Sequence, residues 1–321
     1  MKGKFTNGCP HGIREALDSP IPSLRTPFTP DGDMDLDGIR SQIDFVIAGG
    51  AKFIMQTWGD SMHSVLTDEE VALLAKVVIE HTAGRAKVIA ADNGWATNKA
   101  VAYAEYCAEI GADLLMLLPP DWTASTTPDT VVAHFNAAGA HMPLMLVTAF
   151  FTQSGVMGHR TEQFRMDVIG ALYERTPALV AIKDDVCGEF GNELCAKTHD
   201  RWSFVSGGWM MNHFPTLPHG ANGYLCTFMS FKPDVAWQYW NRLKAGDLEA
   251  AKRVVDEIET PLREHMTTAY VGGPNAVIHG MMELFGVCSR HLRLPYHTLT
   301  DDQMEKLKDF AKGKGILSGT S

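Results

Sequence analysis

Lys183 follows the apolar run Leu179-Val-Ala-Ile182 and precedes Asp184 and Asp185. A lysine whose stem leaves an apolar strand is partly desolvated, which disfavours the ammonium and frees the amine. A neutral amine can attack a ketone and form a Schiff base. The protonated imine is then an electron sink for carbanion chemistry at the neighbouring carbon. The same position also suits a solvated lysine paired with Asp184 or Asp185, and position alone leaves both readings open. Thr57-Trp58-Gly59-Asp60 is a second candidate. Gly59 lets a backbone approach a ligand, successive N–H groups can hold a carboxylate, and Thr57 offers a hydroxyl for a proton relay. Its plain alternative is an ordinary turn.

Other chemistries find less support. Thirteen histidines invite a search for metal ligands, but no H-E-x-x-H pair occurs, and no metal site is expected. His63 and His213 fall where they could line a site mouth, with a surface or satisfied histidine as the default for each. Asp33-Met-Asp-Leu-Asp-Gly38 imitates a calcium loop, yet Asp35 or Asp37 reads better as a helix N-cap. There is no P-loop and no G-x-S-x-G elbow. Trp58, Trp95, Trp122 and Trp209 fall in segments between predicted elements. They read either as an aromatic-lined mouth or as packing under loops.

These residues need elements to position them. Short apolar strands are predicted at 21–28, 53–57, 87–92, 114–119, 144–150, 179–184, 204–207 and 223–228. Helices are predicted between them near 37–48, 67–82, 97–110, 128–139, 161–174, 189–198 and 210–216. Thr67-Asp-Glu-Glu70 is a capping box, and Pro128 sits where a first-turn proline is tolerated. Eight apolar strands alternating with helices predict a parallel sheet covered on both faces, closed as a (β/α)8 TIM barrel. An open doubly wound sheet would carry a glycine-rich loop after its first strand, and none is present. After residue 230 the strand signal stops. Segments 232–245, 247–269, 274–286 and 300–313 read as helices. The expected organisation is an N-terminal segment 1–19, a barrel 20–230 and a C-terminal helical extension 231–313. Barrel chemistry sits where strands end, which directs attention to Thr26–Phe28, Thr57–Asp60, Asp92–Trp95, Pro119–Trp122, Thr148–Phe150, Lys183–Asp185, Ser206–Trp209 and Cys226–Thr227.

The chain has 321 residues, 45% hydrophobic and 21% charged, with a formal net charge of −10. Disorder does not fit that apolar fraction. The acidic balance argues against nucleic acid or an anionic membrane as partner. No run of 18 apolar residues predicts a membrane span. The six cysteines are scattered without a C-x-x-C pair, and the first residues lack a signal-peptide core. A cytoplasmic enzyme or binding protein is expected.

Taken together, the strand-end residues resemble the dihydrodipicolinate synthase / N-acetylneuraminate lyase family, the pyruvate-type class I aldolases. The resemblance covers roughly residues 20–310. It is carried by Thr26-Pro-Phe28, Asp35-Leu-Asp-Gly38, Thr57-x-Gly-Asp60 with Leu66-Thr-x-x-Glu70, and Gly111-Ala-Asp113 before Leu117-x-Pro-Pro120. Ala181-Ile-Lys-Asp184, Ser206-Gly207 and Gly220-Ala-x-Gly223 complete it. It implies a barrel with a helical extension, usually tetrameric, needing no metal or organic cofactor. It also implies that Lys183 forms the Schiff base with a 2-keto acid, and that the Thr57 loop binds the acid's carboxylate. Thr57 matches the first of two adjacent hydroxyl residues, and Trp58 replaces the second. Three departures stand out. The family tyrosine at the end of strand five aligns with Thr148, the synthase's substrate arginine aligns with Gln153, and the tyrosine donated between subunits falls near Pro120-Asp-Trp122.

The expected catalytic residues are therefore Lys183, Thr57 and Thr148, with Asp60 and His63 also candidates for moving the proton. The expected substrate-binding residues are Trp58, Gly59, Asp60, Gln153, Gly207, Trp209 and Leu225. The expected function is a Schiff-base lyase, aldolase or dehydratase, acting on pyruvate or a 2-keto acid. The departures argue against lysine biosynthesis and for a bulky, less anionic acceptor, such as the aldehyde of an aromatic pyruvate adduct. The rival reading is a non-catalytic small-molecule-binding or regulatory protein on the same barrel. A phosphate-binding barrel is a third, supported faintly by Gly207-Gly208.

Overall fold

The computed structural model describes residues 8–120, 124–152, 161–270 and 272–317. Eight strands, β1 (Pro20–Ile21), β2 (Phe53–Met55), β3 (Lys87–Ala91), β4 (Leu114–Leu117), β5 (Leu144–Val147), β6 (Leu179–Asp184), β7 (Ser203–Ser206) and β8 (Gly223–Leu225), form one parallel sheet. β1 pairs with β8, and each of β2 to β8 pairs with its sequence neighbour. Parallel bridging of Ser23 to Met55, with hydrogen bonds from Leu24 N to Met55 O and from Met55 N to Pro22 O, closes the barrel between β1 and β2. Buried on both faces, the strands are almost wholly apolar, which is why they read as runs rather than alternations.

Helices α2 (Leu36–Ala48), α3 (Asp68–Thr82), α4 (Thr97–Ile110), α5 (Pro128–Gly139), α6 (Glu162–Arg175) and α7 (Gly188–Thr198) follow β1 to β6; a short helix α1 (His11–Leu17) precedes the barrel. Asp35 caps α2 through the amide of Gly38, so the acidic run there serves a helix start. Thr67 and Glu70 form the capping box of α3, and Thr127 caps α5 with Pro128 in its first turn. After β7 the chain forms a short α8 (Met210–His213) that tightens into a 3-10 turn, Phe214–His219, where Pro215 and Pro218 remove donors.

Several elements are shorter than expected. β1 ends at Ile21 because Pro22 and Pro27 cannot donate to a ladder. β5 stops at Val147 because the chain turns into a 3-10 helix, Thr148–Thr152. The long helix expected at 247–269 is α10 (Leu248–Val254), a π-turn Val255–Glu259 and α11 (Thr260–Thr268). Pro261 lacks the N–H that an unbroken helix would need there. Helix α9 (Pro233–Lys244) follows β8, packs on β1, and donates from Trp237 Nε1 to Gly49 O at the end of α2. It follows the eighth strand as the earlier helices follow theirs. Helices α12 (Gly273–Leu284) and α13 (Asp301–Gly313) complete the extension.

The π-turn has a consequence at the barrel mouth. Glu259, buried in that turn, accepts from Met210 N at 2.6 Å and Met211 N at 2.8 Å, the free amides that open α8. Burial pushes its carboxyl up from 4.5 to about 7, against the two amides and Arg263, which lower it. Glu259→Ala leaves both amides unpaired, and urea unfolding should register a loss of about 1–3 kcal/mol. The folded protein keeps a proton on Glu259 that the unfolded chain has released between pH 4.5 and about 7. This group therefore contributes a stability that declines as pH rises through that window, and the decline should vanish in the alanine variant.

Candidate active site

A cavity of about 300 Å³ opens where the strands end. Lys183, next to last on β6, stands in its wall, in register with Val147 on β5 and Val205 on β7. Its side chain is only 7% exposed, and its Nζ donates to both oxygens of Asp185, at 2.5 and 2.6 Å. Both halves of the plain alternative are thus decided: the lysine is paired, but it is buried in a cavity rather than solvated. The two neighbouring carboxylates diverge, as alternating positions along a strand must. Asp185 faces the cavity with Lys183. Asp184 turns outward, accepting from Thr148 Oγ1 at 2.8 Å and from the amides of Val186 and Cys187 at 3.1 Å, just ahead of α7. Burial raises the Asp184 carboxyl despite those donors.

The turn after β2 supplies a second wall through Thr57, Trp58, Gly59 and Asp60. Its internal bonds are specific. Thr57 Oγ1 accepts from Asp60 N, Ser61 Oγ accepts from Thr57 N and donates to Leu24 O, and Thr26 Oγ1 donates to Ser61 O. The amides of Ser61, Met62 and His63 bond back to carbonyls of the same turn. Trp58 and Gly59 keep amides that none of these bonds uses. Asp60 faces the buried Arg25 at 3.3 Å. Burial works to raise its carboxyl, but Arg25, Ser23 and Lys183 together hold it below the ordinary range. Asp92, at the end of β3, is the opposite case. Burial drives it up to about 7, and Leu118 N donates to its Oδ1 at 2.8 Å. Ala91, Met116, Leu118, Val147, Ala149 and Leu225 make the remaining wall mostly apolar, and Gly208 completes it.

The structure therefore brings Lys183, Thr57, Trp58, Gly59, Asp60 and Leu225 to one cavity. It separates others from it. Thr148 is fully buried, and its hydroxyl is committed to Asp184 and to the amides of Asp185 and Val186. It holds the end of β6 and is not free to handle a substrate proton. Gly207 lies behind the wall. Its amide donates to Asp184 O, and a Cβ there would stand 2.2 Å from Asp185 Oδ1. Trp209, with φ 76°, is half-buried at the start of α8. Trp95 stacks edge-on against Tyr103 and donates to Asp68. Among the described tryptophans, Trp58 alone lines the cavity, 44% exposed. Gln153 and Trp122 lie outside the described residues. His63 sits beneath the β2 turn, its Nδ1 3.3 Å from Asp92 O, and burial lowers it to about 4. His213 packs against the rings of Tyr224 and Trp240, and burial lowers it to about 3. Both are core imidazoles. Among the described residues no cluster of three or more His, Cys, Asp or Glu could hold a metal. Asp92, Asp185 and Gly208 were missed as site residues, although all three stand at strand ends. What was lacking was a way to tell which of two adjacent residues faces inward.

The comparisons with known proteins agree with this geometry. Residues 17–314 match the model of the dihydrodipicolinate synthetase family. A 4-hydroxy-tetrahydrodipicolinate synthase of Methanosarcina barkeri is 26% identical over 304 residues, 92% of this chain and 98% of the other. A Streptomyces coelicolor protein named Probable 5-dehydro-4-deoxyglucarate dehydratase 1 is 25% identical, with 91% of each chain covered. The crystal structure of N-acetylneuraminate lyase from Fusobacterium nucleatum superposes with a TM-score of 0.79 at 15% identity, covering 93% of this chain and 99% of the other. With a lysine on the sixth strand of a (β/α)8 barrel and a family match along nearly its whole length, the chain belongs to the dihydrodipicolinate synthetase family of class I aldolase-type lyases, which work on pyruvate-type substrates through a Schiff base.

Proposed function

We propose that this protein is a lyase in which Lys183 condenses with the ketone of pyruvate or a larger 2-keto acid, and then cleaves a carbon–carbon bond or expels a hydroxyl beside it. The observation that carries the reading is the buried Lys183 amine at the wall of the strand-end cavity, within hydrogen-bond distance of a carboxylate. The mechanism follows from elementary requirements. The iminium draws electrons from the bond at the adjacent carbon, so the enzyme needs only to hold the keto acid and move protons. The amides of Trp58 and Gly59 are the donors suited to its carboxylate, beside a turn fixed by Thr57 Oγ1.

The rest of the substrate meets a different environment. Lys183 is the cavity's lone cation among the described lining residues, against the carboxyls of Asp60, Asp92 and Asp185. A second carboxylate on the substrate would find no further counter-charge among the described lining residues, while an uncharged, apolar acceptor would meet Met116, Leu118, Val147 and Leu225. This supports aldol cleavage or dehydration of a 2-keto acid with a neutral tail over the synthase reaction named for the Methanosarcina relative. The chain's six free cysteines and family resemblance support a cytoplasmic homotetramer as part of the same proposal; light scattering would test the assembly.

Borohydride added with pyruvate or a longer 2-keto acid should fix a mass adduct on Lys183, located by peptide mapping. Lys183→Ala should show no adduct and a loss of lyase turnover of at least roughly 10⁴-fold, with an unchanged fold by circular dichroism. A folded wild-type protein that gives no adduct with any 2-keto acid would instead favour the binding-protein reading. Thr57→Val removes the acceptor that holds the Asp60 amide. It should raise KM for the keto acid by about tenfold, the cost of one hydrogen bond's worth of misplacement, in steady-state assays. Among acceptors, neutral aldehydes should exceed carboxylated ones in kcat/KM by about tenfold or more; the opposite ranking would sink the charge argument.

A further inference from the structure

The cavity contains no tyrosine among its described lining residues, and Thr148 is spent on Asp184, so the group that moves protons for Lys183 has to be another. From the geometry we infer that Asp185 is this group: a catalytic residue that acts as both base and acid in forming and hydrolysing the Lys183 imine. The inference rests on the Schiff-base reading above and adds to it the identity of the proton carrier.

Three observations carry it. Asp185 lines the same cavity as Lys183, and both its oxygens lie at 2.5–2.6 Å from Nζ, the distance at which a proton passes directly. Its backbone is pinned, because its amide donates to Thr148 Oγ1 at 2.8 Å. Its carboxylate also occupies space left open by Gly207, just past the end of β7. A Cβ on Gly207 would fall 2.2 Å from Asp185 Oδ1 and 2.3 Å from Asp184 O, so a larger residue there would move both the carboxylate and the backbone that carries it. Asp184 is also held by the ladder and by a glycine, Gly191, but it faces outward, away from Nζ. A counter-ion alone requires only proximity, whereas a fixed backbone and a shaped recess hold the carboxylate at one angle to Nζ. Asp185 is 29% exposed, so the carboxylate is also open to a carbonyl entering beside it.

The steps balance. Asp185 takes one proton from the Lys183 ammonium, leaving a neutral amine and a carboxylic acid. The amine attacks the ketone carbon, and the acid protonates the developing alkoxide. The regenerated carboxylate then removes a proton from the carbinolamine nitrogen and passes it to the carbinolamine hydroxyl. The nitrogen lone pair forms the C=N bond as water leaves. The products are a protonated imine, one water and the Asp185 carboxylate, now paired with the iminium. Hydrolysis reverses the sequence. The other titratable groups around Asp185 are Asp184 and Cys187 on its own segment, with Asp60 and Asp92 across the cavity. Burial and the Asp184 and Asp185 charges raise Cys187 to about 12, so it stays a thiol.

The test is the rate of borohydride-trapped adduct formation with pyruvate, read by intact mass from pH 6 to 9, for wild type, Asp185→Asn and Asp185→Glu. Wild type should trap at a rate nearly flat across that range, since the proton moves within the pair. Asp185→Asn should be slower by roughly 10²–10³-fold at pH 7, and its rate should rise with pH as solvent removes the ammonium proton instead. Asp185→Glu should recover part of the loss. If Asp185 merely keeps the ammonium charged, Asp185→Asn frees the amine and trapping becomes equal or faster, which overturns the assignment. A uniform loss at every pH, unrelieved by glutamate, marks a packing role and also overturns it. Absence of a wild-type adduct fails the Schiff-base reading itself, so the two failures are distinct.

Discussion

A buried ammonium on the end of β6 must be paired, because an uncompensated charge in an apolar barrel is too costly to keep. Much of the site can be understood as meeting that requirement without quenching the amine. The partner comes from two residues further along the chain, just past the end of β6, so both groups reach the cavity from one short stretch of backbone. The intervening Asp184 is directed to the opposite side, where the amides ahead of α7 and the Thr148 hydroxyl receive it. Gly191 on α7 is part of this arrangement, since a Cβ there would meet Asp184 Oδ2 at 2.2 Å. Two consecutive aspartates thus divide into one that fixes the strand end and one that meets the amine, and two glycines on different elements make room for them.

The three carboxyls of the cavity show how environment separates like groups. Asp60 has a buried guanidinium at 3.3 Å and stays ionised well below the usual range. Asp92 lacks such a partner, and burial holds it near 7. Asp185 has the lysine itself. The cavity therefore sets a carboxyl held down by a guanidinium beside one that burial drives up to about 7.

The alternation of strands and helices was legible because burial on both faces makes each barrel strand an apolar run, and capping signals at Asp35, Thr67 and Pro128 set the helix starts. Lys183 could be picked out because it ends an apolar run, but position alone also suited a plainly paired lysine, and only the resemblance favoured the Schiff-base reading. Other assignments failed where a side chain's direction decides its role. Thr148 stands at a strand end, as a catalytic hydroxyl would, but the 3-10 turn that begins there points its oxygen at Asp184. Gly207 reads as a ligand-facing glycine, yet the backbone it brings close is that of Asp184 and the side chain it spares is that of Asp185. The tryptophans misled because loops pack as well as bind: Trp95 covers Tyr103. Partners far apart in sequence, such as Glu259 and the amides of α8, leave no local signature at all.

Those distant partners explain why the barrel carries its extension. The turn after β2 rests on Arg25, whose Nη1 donates to Asn275 Oδ1 on α12 at 3.1 Å. The amides that open α8, next to Gly208 in the cavity wall, end on Glu259. Arg293 pairs with Glu70 at 2.7 Å and donates to Val65 O and to Gly32 O, joining the loops after β1 and β2. Each contact links a strand-end segment to a residue beyond Lys244. A parallel barrel needs only its own eight helices to bury its sheet, but its loops have many unpaired polar groups and few apolar ones. The extension supplies partners for them, so the segment beyond Lys244 helps fix where the β2 turn and the wall at Gly208 stand relative to Lys183.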